Sequence, residues 1–127
     1  MKANRLAWTF LLLLQGAAAF QLRAQQTDAD RKLLAEIRAR ADRGNAQSQH
    51  ELGCAFDFAK LGVETDPVAA VKWYRKAADQ NHGKAQFHLA CCYRKGNGVE
   101  QDYVTAVKWF RKAAEQNDPQ AQFNLAH

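Results

Sequence analysis

Two histidine–cysteine pairs are the residues best suited to chemistry. His50 and Cys54 are four residues apart, as are His88 and Cys92, and Cys91 stands beside the second pair. On a helix this spacing puts two side chains on one face, and imidazole with thiolate is a donor set that tetrahedral zinc accepts. Two observations count against a metal. The pairs occupy different positions of an internal repeat, His50 aligning with Phe87 and His88 with Glu51, so they are expected to point in different directions. A paired Cys-x-x-Cys spacing is also missing. The expectation is no metal and no cofactor.

Other chemistries fare no better. The only serine, Ser48, takes the place of Ala85 and Ala121 in the repeat and reads as a small buried residue. Neither Ser-x-x-Lys nor His-x-His-x-Asp occurs, and Gly96-Asn97-Gly98 lacks the Gly-Lys-Ser or Gly-Lys-Thr ending of a phosphate loop. The aromatic pairs Trp73-Tyr74 and Trp109-Phe110 recur in each unit, which points to core packing rather than a ligand box. His82 and His127 read as incidental, His82 replacing Asp118 at a helix start. No catalytic residue is assigned, and a binding protein is expected rather than an enzyme.

The elements that position these residues come from self-comparison. Residues 71–90 and 107–126 match at a shift of 36 with 14 identities in 20 positions. A fainter copy lies upstream: Gln49, Leu52 and Phe56 correspond to Gln86, Leu89 and Tyr93, with one extra residue in the loop before Gly62. Each unit reads as two helices. Leu52, Gly53 and Phe56, like Ala85, Leu89, Ala90 and Tyr93, form the apolar stripe of a first helix. Ala70, Trp73, Tyr74, Ala77 and Ala78, copied as Ala106, Trp109, Phe110, Ala113 and Ala114, form that of a second. Asn45, Asp66, Asp102 and Asp118 are N-cap candidates, with Pro67 and Pro119 at first helical positions. Gly96 and Gly98 suit a helix stop and a left-handed turn.

Ahead of the repeats, 28–43 reads as an amphipathic helix with Leu33, Leu34 and Ile37 inward and Gly44 as its stop. It is a capping helix or a degenerate second helix of an earlier unit. The chain opens with Lys2 and Arg5, an apolar run from Leu6 to Leu14 and the small or polar residues Gln15 to Ala19, the order of a secretory signal peptide cleaved after Ala19 or Ala24, the latter preferred. The run is shorter than the about 20 residues needed to span a bilayer. The protein is therefore expected to be exported, periplasmic or secreted, with no membrane attachment after cleavage. Removing Lys2, Arg5 and Arg23 takes the formal charge from +5 to +2, too little for a nucleic-acid partner. Cys54 and Cys91 are equivalent positions on successive first helices, whose axes pack about 8–10 Å apart. A disulfide needs Cα atoms within about 7 Å, so pairing requires local convergence.

The pattern resembles the Sel-1-like repeat family of the tetratricopeptide-like superfamily. The resemblance rests on Ala85-Gln86, Leu89, Tyr93, Gly96, Gly98-Val99, Asp102, Ala106, Trp109-Phe110 and Lys112-Ala113-Ala114. The same order recurs as Leu52-Gly53, Phe56, Gly62-Val63, Asp66, Ala70, Trp73-Tyr74 and Lys76-Ala77-Ala78, so that 45–127 is covered. Two departures stand: unit one lacks the first loop glycine, and Ala90 replaces Gly53 in unit two. The resemblance implies an all-α fold, an α/α solenoid whose first helices line a concave surface, and an adaptor that binds a protein or peptide partner there. It divides the chain into an export signal (1–24), a capping helix (25–44), two repeats (45–81 and 82–117) and a truncated third (118–127), as in a piece of a longer array. Helical phase selects His50, Glu51, Cys54 and Asp57 of unit one and His88, Cys91, Arg94 and Lys95 of unit two as the outward-facing binding surface. Two alternatives stay open. One is a β-lactam-binding or hydrolysing relative of the cysteine-rich kind; those relatives bridge their two helices, whereas the second helices here carry alanine. The other is self-assembly through the uncapped third unit.

Overall fold

A computed structural model describes residues 27–116 together with Phe123. The expected export signal and, Phe123 apart, the third unit with Asp118, Pro119 and His127 lie outside the described residues. The described chain is all-α. Helix α1 covers 27–42, α2 Ala46–Asp57, α3 Pro67–Asp79, α4 Gly83–Lys95 and α5 Tyr103–Glu115. Pairs α2–α3 and α4–α5 are helical hairpins, and α3 packs on α4 to join them.

Short polar side chains start the helices. Asn45 Oδ1 accepts from the Ser48 amide at 2.8 Å, Asp66 Oδ1 from Ala69 at 3.1 Å and Asp102 Oδ1 from Thr105 at 3.1 Å, each satisfying an amide that the first turn leaves without a partner. His82 does the same for α4, its Nδ1 accepting from the Ala85 amide at 3.2 Å. The histidine expected to be incidental is therefore a cap. Each hairpin loop closes on the first helix, Asp66 N–H to Phe56 C=O and Asp102 N–H to Tyr93 C=O, both at 2.9 Å. In unit two the sharp turn falls on Gly96 and Gly98, with φ of +70° and +74°. In unit one Ala59 (+52°) and Leu61 (+57°) enter the left-handed region with Gly62, so the missing glycine leaves strain where side chains disfavour the conformation.

The core forms three linked clusters. Ile37 and Ala41 of α1 meet Leu52; Tyr74, Ala77 and Ala78 meet Ala85, Leu89 and Cys92; Ala90, Ala106 and Phe110 close the second hairpin. The inward stripe of α1 is Leu34, Ile37 and Ala41, while Leu33 is 44% exposed. Leu33 falls at the edge of that stripe and faces a concavity shared with α2 instead of a packed neighbour. The Gly53–Tyr74 contact sets the closeness of α2 and α3: a Cβ on Gly53 would lie 2.5 Å from Tyr74 Cδ1.

A glutamine ladder ties successive units. Gln49 Nε2 donates to Ala41 C=O and Gln86 Nε2 to Ala78 C=O, each at 3.1 Å. Gln80 Nε2 then donates to Gln49 Oε1 and Gln116 Nε2 to Gln86 Oε1, each at 2.7 Å. Buried amides thus satisfy carbonyls at the ends of the preceding helices, groups costly to leave unpaired. Because Ala41 plays towards Gln49 the part that Ala78 plays towards Gln86, α1 occupies the place of a second helix in a preceding unit.

Candidate functional site

The site lies where α2, α3 and α4 meet. His50 and Cys54 are one turn apart on α2, with His50 Nε2 3.5 Å from Cys54 Sγ. From α4, His88 brings its ring centroid to 5.2 Å from that of His50. From below, Tyr74 of α3 stacks on His88 at 5.1 Å and 11°. Its hydroxyl donates to Asp57 Oδ2 at 3.0 Å and sits 3.6 Å from Cys54 Sγ. Asn97 Nδ2 reaches the other Asp57 oxygen at 3.4 Å. The His82 ring lies 4.9 Å from His50, its Nε2 paired with Gln47 Oε1.

One donor atom each from His50, Cys54 and His88 lies within 4.8 Å of the others. The expectation that the two histidine–cysteine pairs face apart is therefore corrected for His88. Repeat equivalence misled because stacked units meet through unlike faces. The forward face of α2 touches the backward face of α4, so residues in contact need not be equivalent. Cys92 does point away, buried in the core.

Burial sets the electrostatics. His50 is 8% exposed; burial first, then the charges of His88, His82, Lys84 and Lys60, bring its pKa down from 6.5 to about 4. Burial lowers His82 as well. It raises the thiols of Cys54 and Cys91 and pushes Cys92 up to about 12. A protonated thiol beside a neutral imidazole is the wrong ionisation for a thiolate nucleophile. All three cysteines are free.

The eight residues selected by helical phase divide between two concavities. His50, Glu51 and Cys54 line one of about 460 Å³ with Leu33, Arg40 and Lys60. Asp57, His88, Cys91, Arg94 and Lys95 line one of about 330 Å³ with Phe58 and Phe87. His50 itself is buried rather than outward-facing, because α1, α3 and α4 surround the position that simple helical phase leaves open. Tyr74 and His82 are the participants that sequence reasoning missed. Tyr74 was legible only as core, although Tyr at a position where the copy carries Phe110 signals a hydroxyl in use. His82 could have been found from its alignment with Asn45 and Asp118, both cap-type residues.

Stacked helical hairpins joined by recurring caps, loops and a glutamine ladder define an α/α repeat protein. The Sel1 repeat model matches residues 46–82 and 83–118. The chain belongs to the Sel1 repeat family, whose members commonly serve as protein-interaction modules and are generally non-catalytic scaffolds. It is similar to a Sel1 repeat protein from Oxalobacter formigenes, with 38% identity, a TM-score of 0.71 and coverage of 77% of this chain and 41% of that one. A protective antigen of uropathogenic Escherichia coli displaying an SLR fold gives 39% identity and a TM-score of 0.68 over 72% of this chain and 20% of the antigen. Cysteine rich protein B of Helicobacter pylori gives 25% identity and a TM-score of 0.71 over 75% and 71%. The chain thus spans under half the length of the first two. Among the described residues no helix is long and apolar enough to cross a membrane.

Proposed function

We propose that the protein is an exported scaffold that holds a peptide segment of a partner protein across the two concavities. The carrying observation is their placement: successive first helices set them side by side, with the rings of His50 and His88 between them. Cations flank both, Lys60 and Arg40, the latter paired with Glu36 at 3.8 Å, at one, and Lys95 and Arg94, the latter over the Phe110 ring, at the other. The acids beside them are engaged, Glu51 by Gln47 and Asp57 by Tyr74 and Asn97. Exposed Phe58 and Leu33 offer apolar footing. This arrangement suits a segment with acidic side chains and an apolar anchor, since complementary charge steers and selects partners.

The test is an affinity capture with the chain from Gln25 as bait and envelope extract and culture medium as prey, run beside Arg94→Glu/Lys95→Glu. Reversing both charges should reduce capture of the partner about tenfold or more, because like charges opposed across an interface cost several kcal/mol. Two acids in the last turn of α4 and the loss of Arg94 from the Phe110 ring should lower stability by about 1–3 kcal/mol, so capture is compared at a temperature where circular dichroism shows both baits folded. Equal capture by both baits, or no partner for a helical and monomeric bait, would refute the reading.

A further inference from the structure

We propose that His50, Cys54 and His88 bind one zinc ion, a site built between two repeats. The three donor atoms already converge within 4.8 Å. Tetrahedral zinc, at about 2.0–2.1 Å from nitrogen and 2.3 Å from sulfur, holds its donors roughly 3.3–3.6 Å apart. The His50 Nε2 to Cys54 Sγ distance of 3.5 Å meets that spacing. His88 has to close by about an ångström, within the reach of small χ adjustments.

A further observation singles out His50. The repeat supplies the comparison: the equivalent positions are Phe87 and Phe123. Phenylalanine fills this place in the other two units, so packing alone gives no reason for an imidazole. The departure from the repeat occurs at the one described place where a second histidine and a thiol converge. One thiolate with two imidazoles is a donor set for a borderline-soft ion such as zinc.

On binding, two Zn–N bonds and one Zn–S bond form, five of the six waters of the hydrated ion leave and the Cys54 thiol proton passes to solvent. Tyr74 Oη lies 3.6 Å from the sulfur, and its single proton, given to Asp57 in the metal-free site, can turn to the thiolate. His82 is occupied as the α4 cap and by Gln47. Water therefore takes the fourth position, reached through the concavity that His50 and Cys54 line. Metal binding is read on the protein alone, so its outcome does not depend on whether a peptide is held across the same residues.

The experiment is a cobalt(II) titration of the full-length protein, reduced and stripped of metal, followed by displacement with zinc(II). One equivalent of cobalt should produce a thiolate-to-cobalt charge-transfer band, and one equivalent of zinc should bleach it. Cys54→Ser should abolish the band, Cys91→Ser should leave it, and His88→Gln should weaken binding at least tenfold. His50→Phe installs the residue the repeat uses elsewhere; it should keep the helical signal yet lose cobalt binding. An absent band in the wild type, a band that survives Cys54→Ser, or undiminished affinity in His50→Phe would each overturn the assignment.

Discussion

Replacing Gly53 by alanine should destabilise the protein, against the general rule for helix interiors. Alanine is better than glycine inside a helix by about 1 kcal/mol, and Gly53 is well inside α2. Here the added Cβ would meet Tyr74 Cδ1 at 2.5 Å and Cε1 at 2.6 Å. The ring has little room to yield. It is 0% exposed, is stacked on His88 and is tethered to Asp57 through its hydroxyl. Overpacking of this kind costs typically 1–3 kcal/mol. With two contacts near 2.5 Å the upper end applies, so the net loss after the propensity gain is about 1–2 kcal/mol. For a domain of 60–100 residues each kcal/mol is worth roughly 4–8 °C, which places the fall near 10 °C. Thermal unfolding by circular dichroism, with urea unfolding as a second measure, reads it directly. The converse change at the equivalent position, Ala90→Gly, loses the propensity and the packing of a buried methyl and should cost about 2 kcal/mol. A Gly53→Ala protein as stable as the wild type, or more so, would refute the claim that this contact fixes the spacing of α2 and α3.

Gly98→Ala should be the more damaging glycine substitution, because its Cβ would meet Pro67 C=O at 2.2 Å and its φ is +74°. A loss of at least 2 kcal/mol, roughly the sum of left-handed strain and overpacking, should appear in urea unfolding; an unchanged midpoint would show that the loop does not rest on α3. A pH prediction follows from His50 in metal-free protein. Its folded pKa of about 4 lies below the unfolded 6.5, so the unfolded chain binds the extra proton. The contribution is fully present above pH 6.5 and is lost as pH falls towards 4, up to roughly 3 kcal/mol in all. The groups facing it are His82, Lys84 and His88 of α4 and its cap, Cys54 of α2, Lys60 of the following loop and Tyr74 of α3. Chemical unfolding at pH 7 and pH 5 should show the drop in wild type and a smaller one in His50→Phe; equal drops would place the titration elsewhere.

What the sequence made legible was everything that repeats. The caps at Asn45, Asp66 and Asp102 are local devices whose hydrogen bonds run three residues along the chain, and local rules suffice to find them. The same holds for the glycines at 96 and 98. The Leu33 reading failed because successive helical residues lie about 100° apart, and whether both are covered depends on the neighbouring element, which leaves Leu33 open here. The glutamine ladder was visible as a recurrence of Gln49 with Gln86 and Gln80 with Gln116. Its meaning was not visible, because each rung spans about thirty residues and depends on where the preceding helix ends.

The histidine cluster was hidden for a more general reason. Aligning units asks which residues play the same part, whereas a site between units joins residues that play different parts. In an open stack every internal interface is head to tail, so its two sides are distinct surfaces. His50 looks forward from α2 and His88 looks back from α4, and their alignment partners Phe87 and Glu51 sit on other interfaces. The productive comparison is therefore the departure from the repeat. A histidine where the copies have phenylalanine, a tyrosine where the copy has Phe110 and a glycine where the copy has Ala90 all fall in unit one. The structure brings all three to one place: Gly53 lets Tyr74 approach, Tyr74 supports His88, and His88 meets His50. Substitutions that only drifted from the repeat would not be expected to converge in space; these do, on the α2–α4 contact and on a buried imidazole that packing alone would have made phenylalanine.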